Sequence, residues 1–152
     1  MHSKLWLSVL MVVAGSLFGS GNAHEGATGA TADRMMSMTQ MGKAFKQLSV
    51  ELRKGDDADM LLVEQNLEVL AGNAQLVDDL FDINEIPSMS EASPLIWEDR
   101  PAFSAASEVL VDAIEALSVK IEAGDSAGSK LAVRSVNGAC STCHQKFKVR
   151  KN

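Results

Sequence analysis

What this chain of 152 residues lacks narrows its chemistry before any motif is considered. It has only two cysteines, Cys140 and Cys143, so a structural zinc site has no second pair of thiolate ligands. It has three histidines, His2, His24 and His144. Two of them lie at the N-terminal edge, so a metal held between two imidazoles is excluded unless His24 folds back. No segment sustains the apolar/polar alternation of a strand, and there is no internal repeat or low-complexity block. The longest apolar stretch, Leu5 to Phe18, is interrupted by Ser8, Gly15 and Ser16. It falls short of the roughly 20 apolar residues a spanning helix needs. Nor is there a basic excess: 14 Lys and Arg face 20 Asp and Glu, a net charge of −6. An acidic surface argues against nucleic acid or an anionic membrane as partner.

What is present is concentrated at the C-terminal end, in Cys140-Ser141-Thr142-Cys143-His144. Two cysteines separated by two residues and followed by histidine form the attachment pattern of c-type haem. The two thiols reach two vinyl groups of one porphyrin edge, and the adjacent imidazole becomes the proximal iron ligand. A redox-active dithiol is the competing reading, but it calls for a βαβ context that this chain does not offer. A disulfide between Cys140 and Cys143 would close a small, strained ring inside a helix.

The N-terminus supports export. Met1 to Ala23 reads as a signal peptide, with His2 and Lys4 as its basic start, the apolar stretch after it, and the small-residue site Gly21-Asn22-Ala23. Cleavage is expected before His24, giving a periplasmic protein. Retention as a membrane anchor is the alternative. Residues 24–31, rich in Gly, Ala and Thr, are expected to be a mobile tail, and 32–152 one domain.

Four helices are predicted across that domain. The first runs from about Ala32 to Lys54, capped by Thr31 or Asp33 and stopped by Gly55, with Met38, Met41, Phe45, Leu48 and Leu52 on one seam. The second runs from about Ala58 to Ile83 with Val63, Leu67, Leu70, Ala74, Val77 and Phe81 inward. A connection through Pro87 and Pro94 carries Met89, Ile96 and Trp97, expected to fold back onto the bundle. The third helix, Arg100 to Ala123, begins with Asp99 as cap and Pro101 in its first turn. Its inward residues are Phe103, Ala106, Leu110, Ala113, Leu117 and Ile121. After Gly124-Asp125 the fourth, Ser126 to Val149, turns Ala132, Val136, Cys140, Cys143 and Phe147 inward. The fold class is therefore all-α, an antiparallel four-helix bundle with the haem motif late in its last helix.

In these features the chain resembles the cytochrome c′ family, including its low-spin cytochrome c556 branch. The resemblance rests on Arg34 and Met38 in the first helix and Asn66-Leu67-Glu68-Val69-Leu70 in the second. It also rests on Ile96-Trp97 with Phe103, the Gly124-Asp125 turn, and the C-terminal haem motif. It implies one covalent haem c between the helices and a homodimer through the first two helices. It places Met38 over the second face of the iron and Arg34 near the haem propionates. Lys148 stands where many members have an arginine beside the proximal histidine. A lysine keeps the charge but lacks the planar fork of donors.

Around this core, Met35, Met41, Phe81 and Phe147 are expected on the haem pocket, Phe81 reading equally as an ordinary core aromatic. Met38 either ligates iron, giving a low-spin electron carrier of raised potential, or packs over the haem as an apolar lid. The methionines Met35, Met36, Met38 and Met41 could alternatively form a thioether Cu(I) site. Asp78, Asp79 and Asp82 read as a solvated acidic face. With no general base and no distal histidine or arginine at the Met38 position, the chain reads as a carrier and not an enzyme. The function expected is one-electron transfer between unidentified redox proteins, with acidity suited to a basic partner. The alternative is a five-coordinate haem binding NO or CO.

Overall fold

The structure, a computed structural model, describes residues 27–149. The expected leader, its cleavage point and the start of the tail lie outside them. Within the described residues the chain forms α1 (Gly29–Arg53), a 3-10 turn (Gly55–Asp57), α2 (Met60–Gln75), α3 (Val77–Leu80), α4 (Leu95–Glu98), α5 (Arg100–Glu122) and α6 (Ser126–Phe147). The four long helices make a bundle: α1 lies along α2, α5 along α6, and the pairs join through α2 with α5 and α1 with α6.

The bundle follows from apolar spacing. Met41, Ala44 and Leu48 on α1 continue a buried stripe that starts at Thr31, Arg34 and Ser37. Val63, Leu70 and Ala74 on α2, Leu110, Ile114, Leu117 and Ile121 on α5, and Val136 and Ala139 on α6 complete the core. Leu48, Val63, Leu117 and Val136 are 0% exposed. The two tight turns lie at one end. Gly55 (φ +67°) and Gly124 (φ +64°) adopt the left-handed conformation that ends α1 and α5. Beyond them Asp59 accepts from Leu62 N (3.1 Å) and Asp125 from Gly128 N (2.8 Å), capping α2 and α6. No described helix is long and apolar enough to cross a membrane.

The boundaries differ from expectation in four places. α1 begins at Gly29 and not Ala32, so Thr31, expected in the tail or at the cap, is inside the helix; Thr28 is the N-cap and makes no side-chain cap bond. Packing draws the helix out, because Thr31 and Arg34 extend the buried stripe. The second predicted helix is interrupted at Leu76. There the backbone tightens to a Leu76 N–Asn73 O bond (3.2 Å), while the Asn73 side chain donates to Val69 O (2.9 Å). Asp99 precedes α5 without a side-chain cap bond; its carboxylate instead accepts from Lys146 Nζ at 2.7 Å. The last helix stops at Phe147, and Lys148 is extended, pairing with Ala92 in an isolated antiparallel bridge.

That bridge closes the end opposite the tight turns. Ser93 N donates to Phe147 O (3.0 Å) and Val149 N to Glu91 O (2.7 Å), tying the long connection to the end of α6. Ile96 and Trp97 do fold back: Ile96 is buried, and Trp97 Nε1 donates to Phe81 O at 2.7 Å.

Candidate functional site

At this closed-over end the helices part around a cavity of about 510 Å³, within the roughly 300–1,000 Å³ usual for cofactor and small-molecule sites. α1 contributes Thr31, Arg34, Met35, Met38 and Thr39; α6 contributes Cys143, His144 and Phe147. Phe81, Ile96 and Phe103 form further wall, and the connection supplies Met89 to Ala92. Thus Met38 and His144, from different helices, face one space. Of the expected pocket residues, Arg34, Met35, Met38, Phe81, Phe147 and Lys148 all line it. Met41 does not: one turn beyond Met38, it is buried in the interhelical core. Cys140 stands one turn before Cys143 on α6, half-buried, and is not on the wall.

The electrostatics of the motif are those of a binding site. Burial pushes the Cys140 and Cys143 thiols above their ordinary value. That opposes the thiolate character a redox-active dithiol requires. His144 is exposed as a whole residue, yet partial burial of its ring lowers its pKa, and repulsion from Lys148 lowers it further. A neutral imidazole is the form that ligates a metal. Lys148 Nζ is itself paired with Glu91 Oε2 at 2.9 Å.

Arg34 is the most constrained side chain of the site. It is 3% exposed, and its guanidinium donates to the carbonyls of Leu80 (2.6 Å), Glu85 (2.8 Å) and Ile83. It lies over the rings of Phe81 (4.8 Å to the centroid) and Trp97 (5.5 Å). Burial lowers its pKa, the Glu85 charge opposing the shift. From the other side Arg100 donates to Phe81 O and Asp78 O and pairs with Asp78 and Asp82, each at 2.9 Å. Two cations thereby cap the carbonyl end of α3, which presents Phe81 to the cavity. Asp78 and Asp82, read from sequence as a solvated face, are the anchors of Arg100. Phe81, Phe103 and Phe147 form a run of edge-on rings at 5.1 and 5.3 Å along the wall.

Sequence reasoning missed the wall made by Ser90, Glu91 and Ala92, since a loop stretch signals no partner. It also missed Thr31 as a wall residue, having treated it as a cap. The thioether Cu(I) arrangement does not form: Met36 is 50% exposed, Met41 is in the core, and of these four methionines only Met35 and Met38 reach the cavity.

A family model described as Cytochrome C′ matches residues 29–148, nearly all of this architecture. The chain belongs to the cytochrome c′ family. Among curated relatives, a cytochrome c′ of Rhodopseudomonas palustris is 29% identical over 143 residues, 93% of either chain. A cytochrome c-556 of Agrobacterium fabrum is 27% identical over 143 residues, 92% of this chain and 95% of that one. The crystal structure of cytochrome c′ from Rubrivivax gelatinosus superposes with a TM-score of 0.70 at 27% identity, covering 78% of this chain and 94% of that one. A ferrous variant of the Alcaligenes xylosoxidans protein with bound NO gives 0.72 at 26% identity, covering 80% and 94%.

Like its family, this cytochrome binds haem c covalently. The site suits that group. An aromatic-walled cavity carries a thiol and an imidazole on one helix, a thioether on another, and a buried guanidinium with no carboxylate within ion-pairing distance among the described residues. Cationic and hydroxyl donors are what haem carboxylates require, and thiol, imidazole and thioether what its vinyls and iron require.

Proposed function

We propose that this cytochrome is an exported, periplasmic monohaem electron carrier. Cys140 and Cys143 hold the haem, His144 is the proximal ligand and Met38 the distal one. When bound, the haem supplies a one-electron Fe(III)/Fe(II) couple. The protein's own residues do the rest. His144, kept neutral by partial burial and Lys148, offers a ring nitrogen from α6. Met38, held half-buried on α1, offers a soft sulfur to the same cavity. Phe81, Phe103 and Phe147 exclude water from one wall, and Arg34 provides charge for a propionate. The observation that carries this reading is that Met38 and His144 line one cavity from separate helices.

The test is the optical spectrum of the ferrous protein beside that of Met38→Ala. Ligation gives sharp, split α and β bands in the wild type; Met38→Ala becomes high-spin, binds carbon monoxide faster and falls in potential. A wild type that is already high-spin, with a variant differing only in faster gas binding, supports the second reading: a five-coordinate haem that binds NO or CO. Two observations favour that alternative, the apolar lining around Met35 and Met38 and the likeness to a cytochrome c′ with bound NO.

Partners fit the carrier reading. A net charge of −6 suits transient docking to a basic redox protein. Exposed Met36 and Val50 on α1 with Leu61 and Val69 on α2, and Leu76 just after it, support a homodimer through these two helices. Glu51, on α1, is buried and bound to Lys54 Nζ at 2.7 Å, and so is not part of that surface. Sedimentation showing only monomer at high micromolar concentration rules the dimer out.

A further inference from the structure

Three features fall within the first six residues of α1, beside the cavity. First, Thr31 lines the cavity and is 1% exposed, yet its hydroxyl has no hydrogen-bond partner. A buried hydroxyl without a partner is costly and is rarely retained without a reason. Second, Arg34, one helical turn later on the same wall, is a buried cation whose bonds all go to neutral carbonyls. Among the described residues no carboxylate lies within ion-pairing distance of it. Third, α1 starts without a side-chain cap and without an acid in its first turn, so among the described residues the first turn itself supplies no negative partner for the positive end of its dipole. Thr31 is the third residue of that helix, within reach of the dipole's field.

A hydroxyl, a guanidinium and a helix N-terminus on one wall share a single complementary chemistry, that of a carboxylate. We propose that Thr31 is a second donor, beside Arg34, to a haem carboxylate, the two forming a cradle at the start of α1. The inference rests on the reading of the cavity as the haem site and adds a residue to it. Threonine has two χ1 wells in a helix, which gives the enclosed hydroxyl a way to the space its residue lines. Arg34 also holds Leu80, Ile83 and Glu85, so a carboxylate in the cradle adds its charge to the centre of the latch that shapes the wall.

The experiment compares full-length holoprotein with Thr31→Val, which removes the hydroxyl and keeps the shape, and Thr31→Ser, which keeps the hydroxyl. Three readouts are taken: the propionate bending band in the resonance Raman spectrum, the reduction potential and the thermal unfolding midpoint. Thr31→Val is expected to shift the propionate band. It is also expected to move the redox equilibrium a few-fold toward Fe(III), a tenfold change being about 59 mV for one electron, because the carboxylate loses a neutralising donor. Thr31→Ser restores the wild-type band and potential. An unmoved band and potential, with an unfolding midpoint that rises in Thr31→Val because an orphan hydroxyl has been removed, overturn the inference. So does a Thr31→Ser variant indistinguishable from Thr31→Val. A preparation whose colour leaves the polypeptide on acid-acetone extraction overturns the haem assignment of Cys140 and Cys143 as well, whereas covalent haem with an unmoved propionate band overturns the role of Thr31 alone.

Discussion

At the end of the bundle holding the two tight turns, the polar contacts join near neighbours. Glu51 binds Lys54 Nζ and Asp59 N, Asp59 caps Leu62, and Asp125 caps Gly128 and pairs with Lys120. At the cavity end they join distant parts of the chain. Arg34 reaches carbonyls 46 to 51 residues away, Arg100 grips Asp78 and Asp82, and Lys146 reaches Asp99 across 47 residues. The first end is filled with aliphatic side chains such as Leu48, Val63 and Leu117; the second is aromatic and leaves space. The contrast separates two tasks. The turn end only has to pack, and local caps with a dense core suffice. The cavity end has to stay open around a large group, so its walls are braced from outside by long-range latches.

The largest effect expected from breaking this contrast is at the cavity end. Replacing Cys140 and Cys143 together with serine should abolish covalent haem and leave little folded protein, because the cavity loses its filling. Acid-acetone extraction and the yield of coloured protein read the outcome. At the turn end, Leu48→Ala should cost about 3–5 kcal/mol, the range for a fully buried leucine, while leaving the haem spectrum unchanged. A shifted spectrum would show that the two ends are not separate. Arg34→Met should cost about 2–4 kcal/mol by stranding three carbonyls. Unlike Leu48→Ala it should also alter the spectrum and potential, since the wall behind Phe81 loosens. Urea unfolding of the holoprotein monitored at the Soret band tests both.

The smallest effect is electrostatic. The hydrogen bond from Lys54, then that from Asp59 N, holds the Glu51 carboxyl below its ordinary value. The folded state therefore binds that proton less readily than the unfolded chain. The resulting stability is present above the ordinary carboxylate range and is lost as pH falls through the lowered value. Lys54→Met should lower the urea midpoint slightly at neutral pH, with the difference from wild type shrinking as the pH falls through the lowered Glu51 value and vanishing below it. A difference that persists or grows in acid contradicts the assignment.

The two ends also differ in how much of each was legible. The turn end could be read almost residue by residue: Gly55, Gly124 and Asp125 are local signals, and the 3- and 4-residue spacing of Met41, Leu48, Leu70, Leu110, Leu117 and Val136 marks the inner faces. At the cavity end the chemistry was legible where it is written in adjacent residues, in Cys140, Cys143 and His144. The position of Met38 was legible through resemblance. The break at Leu76 was not, nor was Arg34 as a latch, Asp78 and Asp82 as anchors of Arg100, or the strand-like pairing of Ala92 with Lys148.

By itself, then, the sequence determined an all-α bundle, its turns, its core faces and the covalent haem motif, because periodicity, capping and a five-residue pattern are encoded among near neighbours. Only the tertiary structure decided which side chains face the cavity: Met35 and Met38 but not Met41, Thr31 as wall and not cap, Phe81 held in place by two arginines. These outcomes depend on where separate helices cross and on which buried donors find acceptors some 50 residues away. A local pattern carries no term for either.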